Sequence, residues 1–146
     1  MPSAHPQLDL DAQLCFPLYA AARAVTGQYA DLLDEVGLTY PQYLCLLTLW
    51  SADEPLTIGE VGRRLRLDSG TLTPVMKRLE AAGHVHRERD PADERRVRVV
   101  LTNTGRALQD RVAEVPGRLW ERLDLTAEDA SDLRRLLDGI LRALPA

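Results

Sequence analysis

Cysteine is the residue type in this chain best able to do covalent chemistry, and there are two. Cys15 stands in QLCFPLY, two residues before Pro17 and four before Tyr19, and Cys45 stands among leucines in YLCLLTLW. A thiolate attacks peroxides and disulfides, whereas a buried thiol is an inert apolar filler. Spacing alone leaves both readings open for Cys15 and favours packing for Cys45. Two cysteines make no disulfide framework, and whether this pair lies within bonding reach is not visible in a sequence. His84 and His86 alternate, as on one face of a strand. With no further ligand to complete a metal site, they read as a surface pair near phosphates. HExxH, a Gly-rich phosphate loop and a nucleophile elbow are all missing. No enzyme, metal or cofactor is therefore expected.

The elements that must position these groups can be read from composition and periodicity. With 146 residues, 45% apolar and 27% charged, the chain is expected to form a single soluble domain that buries a core unaided. MPSAHPQLDLDAQL lacks a basic cluster ahead of an apolar run, and YLCLLTLW is far too short to span a bilayer. A cytoplasmic protein with no membrane partner is expected. The net charge of −4 is unevenly spread. Residues 57 to 106 carry eleven basic and seven acidic side chains, a net of +4, between flanks that sum to −8. That pattern suits either a polyanion-binding module inside an oligomerising frame or a solvated face.

Residues 8 to 35 read as helix, with Leu14, Leu18, Ala22 and Val25 at helical spacing. Pro17 fits the first turn of a helix beginning near Phe16, or kinks a longer one. Gly37 is a stop signal. Thr39 or Tyr40 starts a second helix, with Pro41 in its first turn, that runs to about Ser51 and is apolar around most of its girth. Thr57 and Glu60 have capping-box spacing ahead of the Ile58, Val61, Leu65 stripe. After a short turn, Leu72, Val75, Met76 and Leu79 form a second stripe, ended by Gly83. Two short amphipathic helices so joined are a helix-turn-helix. The period then becomes two around Val85 and again at Val97, Val99 and Leu101, on either side of DPADER, which predicts a hairpin with an arginine-rich tip. Helix resumes from Thr104 to Leu123 on Leu108, Val112, Val115 and Leu119, with a kink expected at Pro116–Gly117. Thr126 and Asp129 cap a last helix whose Leu133, Leu136, Leu137, Ile140, Leu141 and Leu144 form a broad apolar face.

The predicted class is mainly α with a small β-hairpin wing (α+β). A winged helix-turn-helix at 53–103 lies within one domain, 1–146, between dimerisation and support helices at 8–52 and 104–144. The apolar stripes of the end helices need a partner. A symmetric homodimer supplies one economically, and the other solution is a monomer folded back over its own core.

Double-stranded DNA is the expected partner. A recognition helix reads the major groove with its N-terminal turn, here SGTLT. Ser69, Thr71 and Thr73 offer hydroxyls, Gly70 permits close backbone approach, and Lys77 and Arg78 would meet phosphate or guanine. Pro74 implies either a helix beginning at Thr73 as cap or one that tolerates the proline. In the wing, Arg95 is nearest the tip and is expected to enter a narrow minor groove with Asp93 orienting it, beside Arg96 and Arg98. A dimer spaces two such helices about 34–36 Å apart, so the operator should be an inverted repeat.

LTIGEVGRRLRLDSGTLTPVMKRLEAAGHVHRERDPADERRVRVVLT resembles the winged-helix core of the MarR family of bacterial transcription regulators, including its wing signature. DSGTLTP, LCFPLY and GLTYPQYL are similar to the organic hydroperoxide resistance regulators, the OhrR group, over about residues 8 to 144. The resemblance implies a repressor whose N-terminal cysteine, here Cys15, senses organic hydroperoxides. In that group two tyrosines of the other subunit, matched by Tyr29 and Tyr40, donate to the thiolate; Tyr19 lies beside Cys15 on its helix. Phenolic donors and helix dipoles favour a thiolate without a buried cation, and Phe16 with nearby leucines would form an apolar mouth. With no cysteine after Cys45, the one-cysteine version is implied, in which a small thiol or a backbone nitrogen captures the sulfenic acid. Two other functions use the same features. One is a MarR-like repressor that answers a small phenolic or lipophilic ligand, with Cys15 structural. The other is a thiol peroxidase, which would have no use for a winged helix.

Overall fold

The computed structural model describes residues 4–144, and its elements follow from local chemistry. The segment before Cys15 is not helix from residue 8, as periodicity predicts, but two 3-10 turns, Pro6–Leu8 and Leu10–Ala12. Asp9 caps the second of them, and the Gln13 amide holds both by donating to the carbonyls of Gln7 and Asp9 at 2.8 Å each. Helix α1 then spans Cys15–Leu33. Pro17 falls in its first turn, where a missing N–H leaves no intrahelical bond unmade. Gly37 stops the chain at φ +69°, a left-handed conformation that costs glycine nothing.

Helix α2, Tyr40–Trp50, begins with a full capping box between Thr39 and Gln42 and buries Tyr43, Cys45, Leu46 and Leu49. A two-residue strand, β1 (Leu56–Thr57), leads into α3 (Ile58–Leu65), capped by Thr57 and Glu60 as their spacing predicts. Helix α4 is Ser69–Ala81, with Asp68 as its cap. Strands β2 (Val85–Arg89) and β3 (Val97–Leu101) make the hairpin. The sheet order is β1-β3-β2, antiparallel throughout, with Val85 opposite Leu101 and Leu56 opposite Val99. Periodicity misses β1 because two residues have no period; the strand exists because the outer edge of β3 is free to pair.

Helix α5 is Asn103–Val112, α6 is Val115–Leu123 and α7 is Ala127–Ala143. The expected kink at Pro116–Gly117 is instead a break at 113–114, since Pro116 sits in the first turn of a new helix. The predicted stripe of Leu108, Val112, Val115 and Leu119 is buried in the core. Leu32, Leu46, Val61, Leu72, Leu79 and Val99 complete one continuous cluster under the helix-turn-helix and the sheet.

The N-terminal part of α1 and the whole of α7 do not fold back over that core. Leu14 is 87% exposed, and α7 has no buried residue. Leu32 and Leu33 anchor the C-terminal end of α1 in the core, Arg122 to Gln28 joins α6 to α1 at 2.6 Å, and Arg66 at the end of α3 bonds the Leu141 carbonyl of α7 at 3.0 Å. Among the described residues no helix is long and apolar enough to cross a membrane.

The tightest packing lies where α5 meets the wing. Thr102 Oγ1 donates to the Gly83 carbonyl at 2.6 Å and accepts the Gly105 N–H at 3.0 Å, while Trp50 Nε1 donates to the Gly105 carbonyl at 3.0 Å. A Cβ on Gly105 would collide with the backbone carbonyl of His84, which cannot yield as a side chain can. Gly105→Ala should therefore destabilise the fold by about 3 kcal/mol, read as a lower urea midpoint at unchanged slope. An unchanged midpoint would contradict this packing.

Candidate thiol and nucleic-acid sites

Cys15 is the first residue of α1, exposed at a helix end that has no side-chain cap. Leu14, Phe16 and Leu18 around it are exposed too. The thiol thus sits in an unpartnered apolar patch at the positive end of a helix dipole. Tyr19 is 61% exposed, with the Arg23 guanidinium 5.7 Å from its ring centroid, so it is engaged on its own helix.

Tyr29 near the end of α1 and Tyr40 at the start of α2 stack with centroids 4.4 Å apart and planes at 17°. Tyr43, which sequence reasoning did not single out, completes the group at 5.7 Å from Tyr29 and 6.4 Å from Tyr40. Its spacing of three from Tyr40 on one helix was the available signal. Burial pushes all three phenols above their ordinary range, and for Tyr40 and Tyr43 charge on the neighbouring phenols adds to it. They therefore stay O–H donors at neutral pH. Among the described residues none of the three hydroxyls is hydrogen-bonded. Cys15 does not meet them in its own chain: it lies fourteen residues before Tyr29 on one helix, about 21 Å at 1.5 Å per residue.

Cys45 is 0% exposed, and burial pushes its thiol up to about 11. The packing role expected for it agrees with that position. Among the described residues no group of His, Cys, Asp or Glu could hold a metal ion. His84 lies just before β2, not on a strand face shared with His86. Its Nδ1 is buried without a partner, and burial, with the Arg111 charge, lowers its pKa. His86 does have an acidic neighbour, Glu88, at 3.4 Å.

The turn between α3 and α4 is close because Gly62 lets the Leu67 carbonyl pass; a Cβ there would sit 2.6 Å from that oxygen. Asp68 accepts the Thr71 N–H at 2.9 Å and its hydroxyl at 3.0 Å, which holds the Asp68 carboxyl below the usual range. Thr73 Oγ1 donates to the Ser69 carbonyl at 2.7 Å. Both threonine hydroxyl protons are thus engaged, and Ser69, Gly70 and Thr71 are exposed at the helix end. Gly70 has an intrachain reason as well, since a Cβ there would press on Asp68 Oδ1 at 3.0 Å. Thr73 is not the cap. Helix α4 runs through Pro74, which withholds only the donor for the Gly70 carbonyl. Lys77 and Arg78 are exposed on α4, and among the described residues neither is ion-paired.

On the wing the Arg95 side chain is 91% exposed, and its Nε donates to Asp93 Oδ1 at 3.1 Å. Asp93 also accepts the Arg95 N–H, and these two bonds hold its carboxyl low. Arg96 points elsewhere, to Glu60 on α3 at 2.7 Å. Arg98 lies across the hairpin from Glu88 at 2.9 Å. A shallow groove of about 260 Å³ between Trp50, Pro55, Leu101 and Arg106 mixes charged and apolar walls.

Comparison with known proteins places the whole chain. The model of the family described as transcriptional regulator SarA/Rot matches residues 28–112. The HTH-type transcriptional regulator TtmR of Methylorubrum extorquens is 50% identical over 90% of this chain, which spans 65% of that relative's length. The organic hydroperoxide resistance transcriptional regulator of Bacillus subtilis is 44% identical over 94% of this chain and 92% of its own. A solved structure of reduced AbfR bound to DNA superposes with a TM-score of 0.77 at 36% identity, covering 97% of this chain and 99% of that one.

The geometry gives the two thiols opposite reactivity. In the native protein at pH 8, iodoacetamide should label one cysteine per chain, Cys15, with Cys45 labelled only in denaturant; intact-protein and peptide masses read this directly. Comparable labelling of both would contradict the burial of Cys45.

Proposed function

The chain belongs to the MarR-type winged-helix transcriptional regulators that bind DNA, in the organic hydroperoxide resistance regulator group, and from that premise we propose a homodimeric cytoplasmic repressor switched by oxidation of Cys15. The observation that carries this reading is the separation of thiol and donors. An exposed thiol stands at one end of α1 and Tyr29 near the other, stacked with Tyr40 of α2, and among the described residues their hydroxyls are unbonded, while the rigid helix keeps thiol and phenols apart within one chain. A second copy, seated on the exposed faces of α1 and α7, would bring Tyr29 and Tyr40 of one chain to Cys15 of the other.

The chemistry then follows. The Cys15 thiolate attacks the distal peroxide oxygen, the O–O bond breaks, and the organic alkoxide leaves and takes up a proton as the alcohol. Cys15 becomes a sulfenic acid. The charge that the phenols were stabilising is gone, so their hydrogen bonds rearrange across the seam. Because those bonds hold the subunits in register, the recognition helices move relative to each other; coupling of about 1–3 kcal/mol is typical of such linkage. The apolar patch of Leu14, Phe16 and Leu18 favours alkyl or fatty-acid hydroperoxides over hydrogen peroxide. Cys45 is sealed in the core, so a small cellular thiol or a backbone nitrogen is the partner left for the sulfenic acid.

For DNA, Ser69, Gly70, Thr71, Thr73, Lys77 and Arg78 face the major groove. Arg95, steered by Asp93, enters the minor groove of an inverted repeat. Arg95→Ala should weaken operator binding about tenfold, most at A·T-rich flanks, where the narrow groove favours arginine.

The sensing test is fluorescence anisotropy on a labelled duplex from upstream of the protein's own gene, with one equivalent of an alkyl hydroperoxide and then excess dithiothreitol. Binding should be lost and then restored by the thiol. Cys15→Ser should bind normally and ignore peroxide, while Tyr29→Phe and Tyr40→Phe should respond more slowly. Cys15→Ser protein that still leaves DNA on peroxide treatment would contradict the assignment. Release by a small phenolic ligand alone would favour the ligand-responsive reading.

A further inference from the structure

Arg96 is expected on sequence grounds to face DNA beside Arg95, but one arm of its guanidinium is held by a carboxylate. Arg96 Nη2 donates to Glu60 Oε1 at 2.7 Å, across 36 positions of sequence. The other oxygen of the same carboxylate, Oε2, accepts the Thr57 N–H at 2.8 Å and so closes the capping box of α3. Thr57 in turn pairs with Arg98 on β3. One carboxylate therefore holds the start of α3 and the tip end of β3 together.

The tip is the place where such a hold matters. Pairing between β2 and β3 ends at Arg89 opposite Val97, so residues 90–96 lie beyond the ladder. The backbone of Arg96 closes that tip, accepting from Asp90 N at 2.8 Å and donating to the Asp93 carbonyl at 2.9 Å. Its neighbour Arg95 extends into solvent, touching Asp93 alone among the described residues. Strand β1 pairs with β3 only as far as Arg98, so beyond that point the wing is a two-stranded ribbon, which twists easily. Half-exposed ion pairs also add little to global stability, so stability is a weak account of this one.

We infer that the Glu60–Arg96 pair is a strut that sets the angle between the wing and the helix-turn-helix, so that Arg95 and α4 engage one duplex together. Arg96 is on this view a positioning residue that acts through Arg95, and Glu60 is its anchor. The inference rests on the DNA-binding reading of the wing.

The test is a set of mutant cycles by anisotropy on the full-length reduced protein, using the duplex from upstream of its own gene and a scrambled duplex, across a salt series. Glu60→Gln is the useful partner change, because glutamine still closes a capping box but gives Arg96 no charge to hold. In the wild type Arg95→Ala should cost about tenfold in affinity. In Arg96→Gln or Glu60→Gln backgrounds it should cost no more than about twofold, because Arg95 is already misplaced. Glu60→Gln/Arg96→Gln should bind no more weakly than Arg96→Gln alone, and Arg96→Lys should keep part of the wild-type preference for its own duplex. Circular dichroism and thermal melting should be nearly unchanged throughout. The strut is overturned if Arg96→Gln costs the same with and without Glu60 and lowers the salt slope by about 1, the mark of one phosphate fewer neutralised. It is overturned equally if Arg95→Ala costs its full factor in the Arg96→Gln background. If Arg95→Ala costs nothing in the wild type, the minor-groove reading fails first and the strut falls with it.

Discussion

The rigid length of α1 is the constraint on which the rest depends. An α-helix cannot fold back on itself, so a thiol at its first residue and a phenol at its fifteenth are held about 21 Å apart. Chemistry that needs both must use two chains. The same constraint gives meaning to the surface that a single chain leaves apolar: Leu14, Phe16 and Leu18 beside the thiol, and Leu133, Leu136, Ile140 and Leu141 along α7. Contiguous apolar surface of this kind marks an interaction site. If the thiol chemistry lies in the seam between subunits, a change of one charge there is felt by both DNA-reading heads at once. A thiol enclosed within one chain would have no such lever.

Below that seam, the head is stiffened by side chains that each make two connections. Thr102 joins the end of α4 to the start of α5. Asp68 caps α4 and takes up both donors of Thr71. Glu60 caps α3 and holds Arg96. Each satisfies orphan backbone groups at a helix start, and Thr102 and Glu60 also reach a neighbouring segment. Such connections stiffen the head, as the proposed coupling between a dimer seam and the recognition helix would need.

What the sequence disclosed was the local part. The Thr57–Glu60 and Thr126–Asp129 caps, the glycine stops at 37 and 83 and the hairpin around DPADER all depend on neighbours within a few residues, and all lie where expected. The misses are non-local or depend on competition between signals. The 3-10 turns before Cys15 win because Asp9 and Gln13 bond locally before a helix can start. The break at 113–114 precedes Pro116 because that proline is better placed in a first turn than at a kink. Strand β1 is defined by its partner, and so is the role of Arg96, whose acceptor stands 36 residues away. Tyr29 and Tyr40 became candidates only through the family resemblance, and their stacking with Tyr43 and their distance from Cys15 needed coordinates.

The most direct measurement uses mixed dimers, in which one chain carries Cys15→Ser and the other carries Tyr29→Phe and Tyr40→Phe, with the rate of sulfenic acid formation followed by trapping and mass spectrometry. If the phenols act across the seam, the one remaining cysteine faces intact tyrosines and reacts at the wild-type rate. A wild-type chain paired with a Cys15→Ser, Tyr29→Phe, Tyr40→Phe chain then reacts slowly. The opposite ordering, slow in the first dimer and fast in the second, would mean that each cysteine answers to its own chain and would contradict the account.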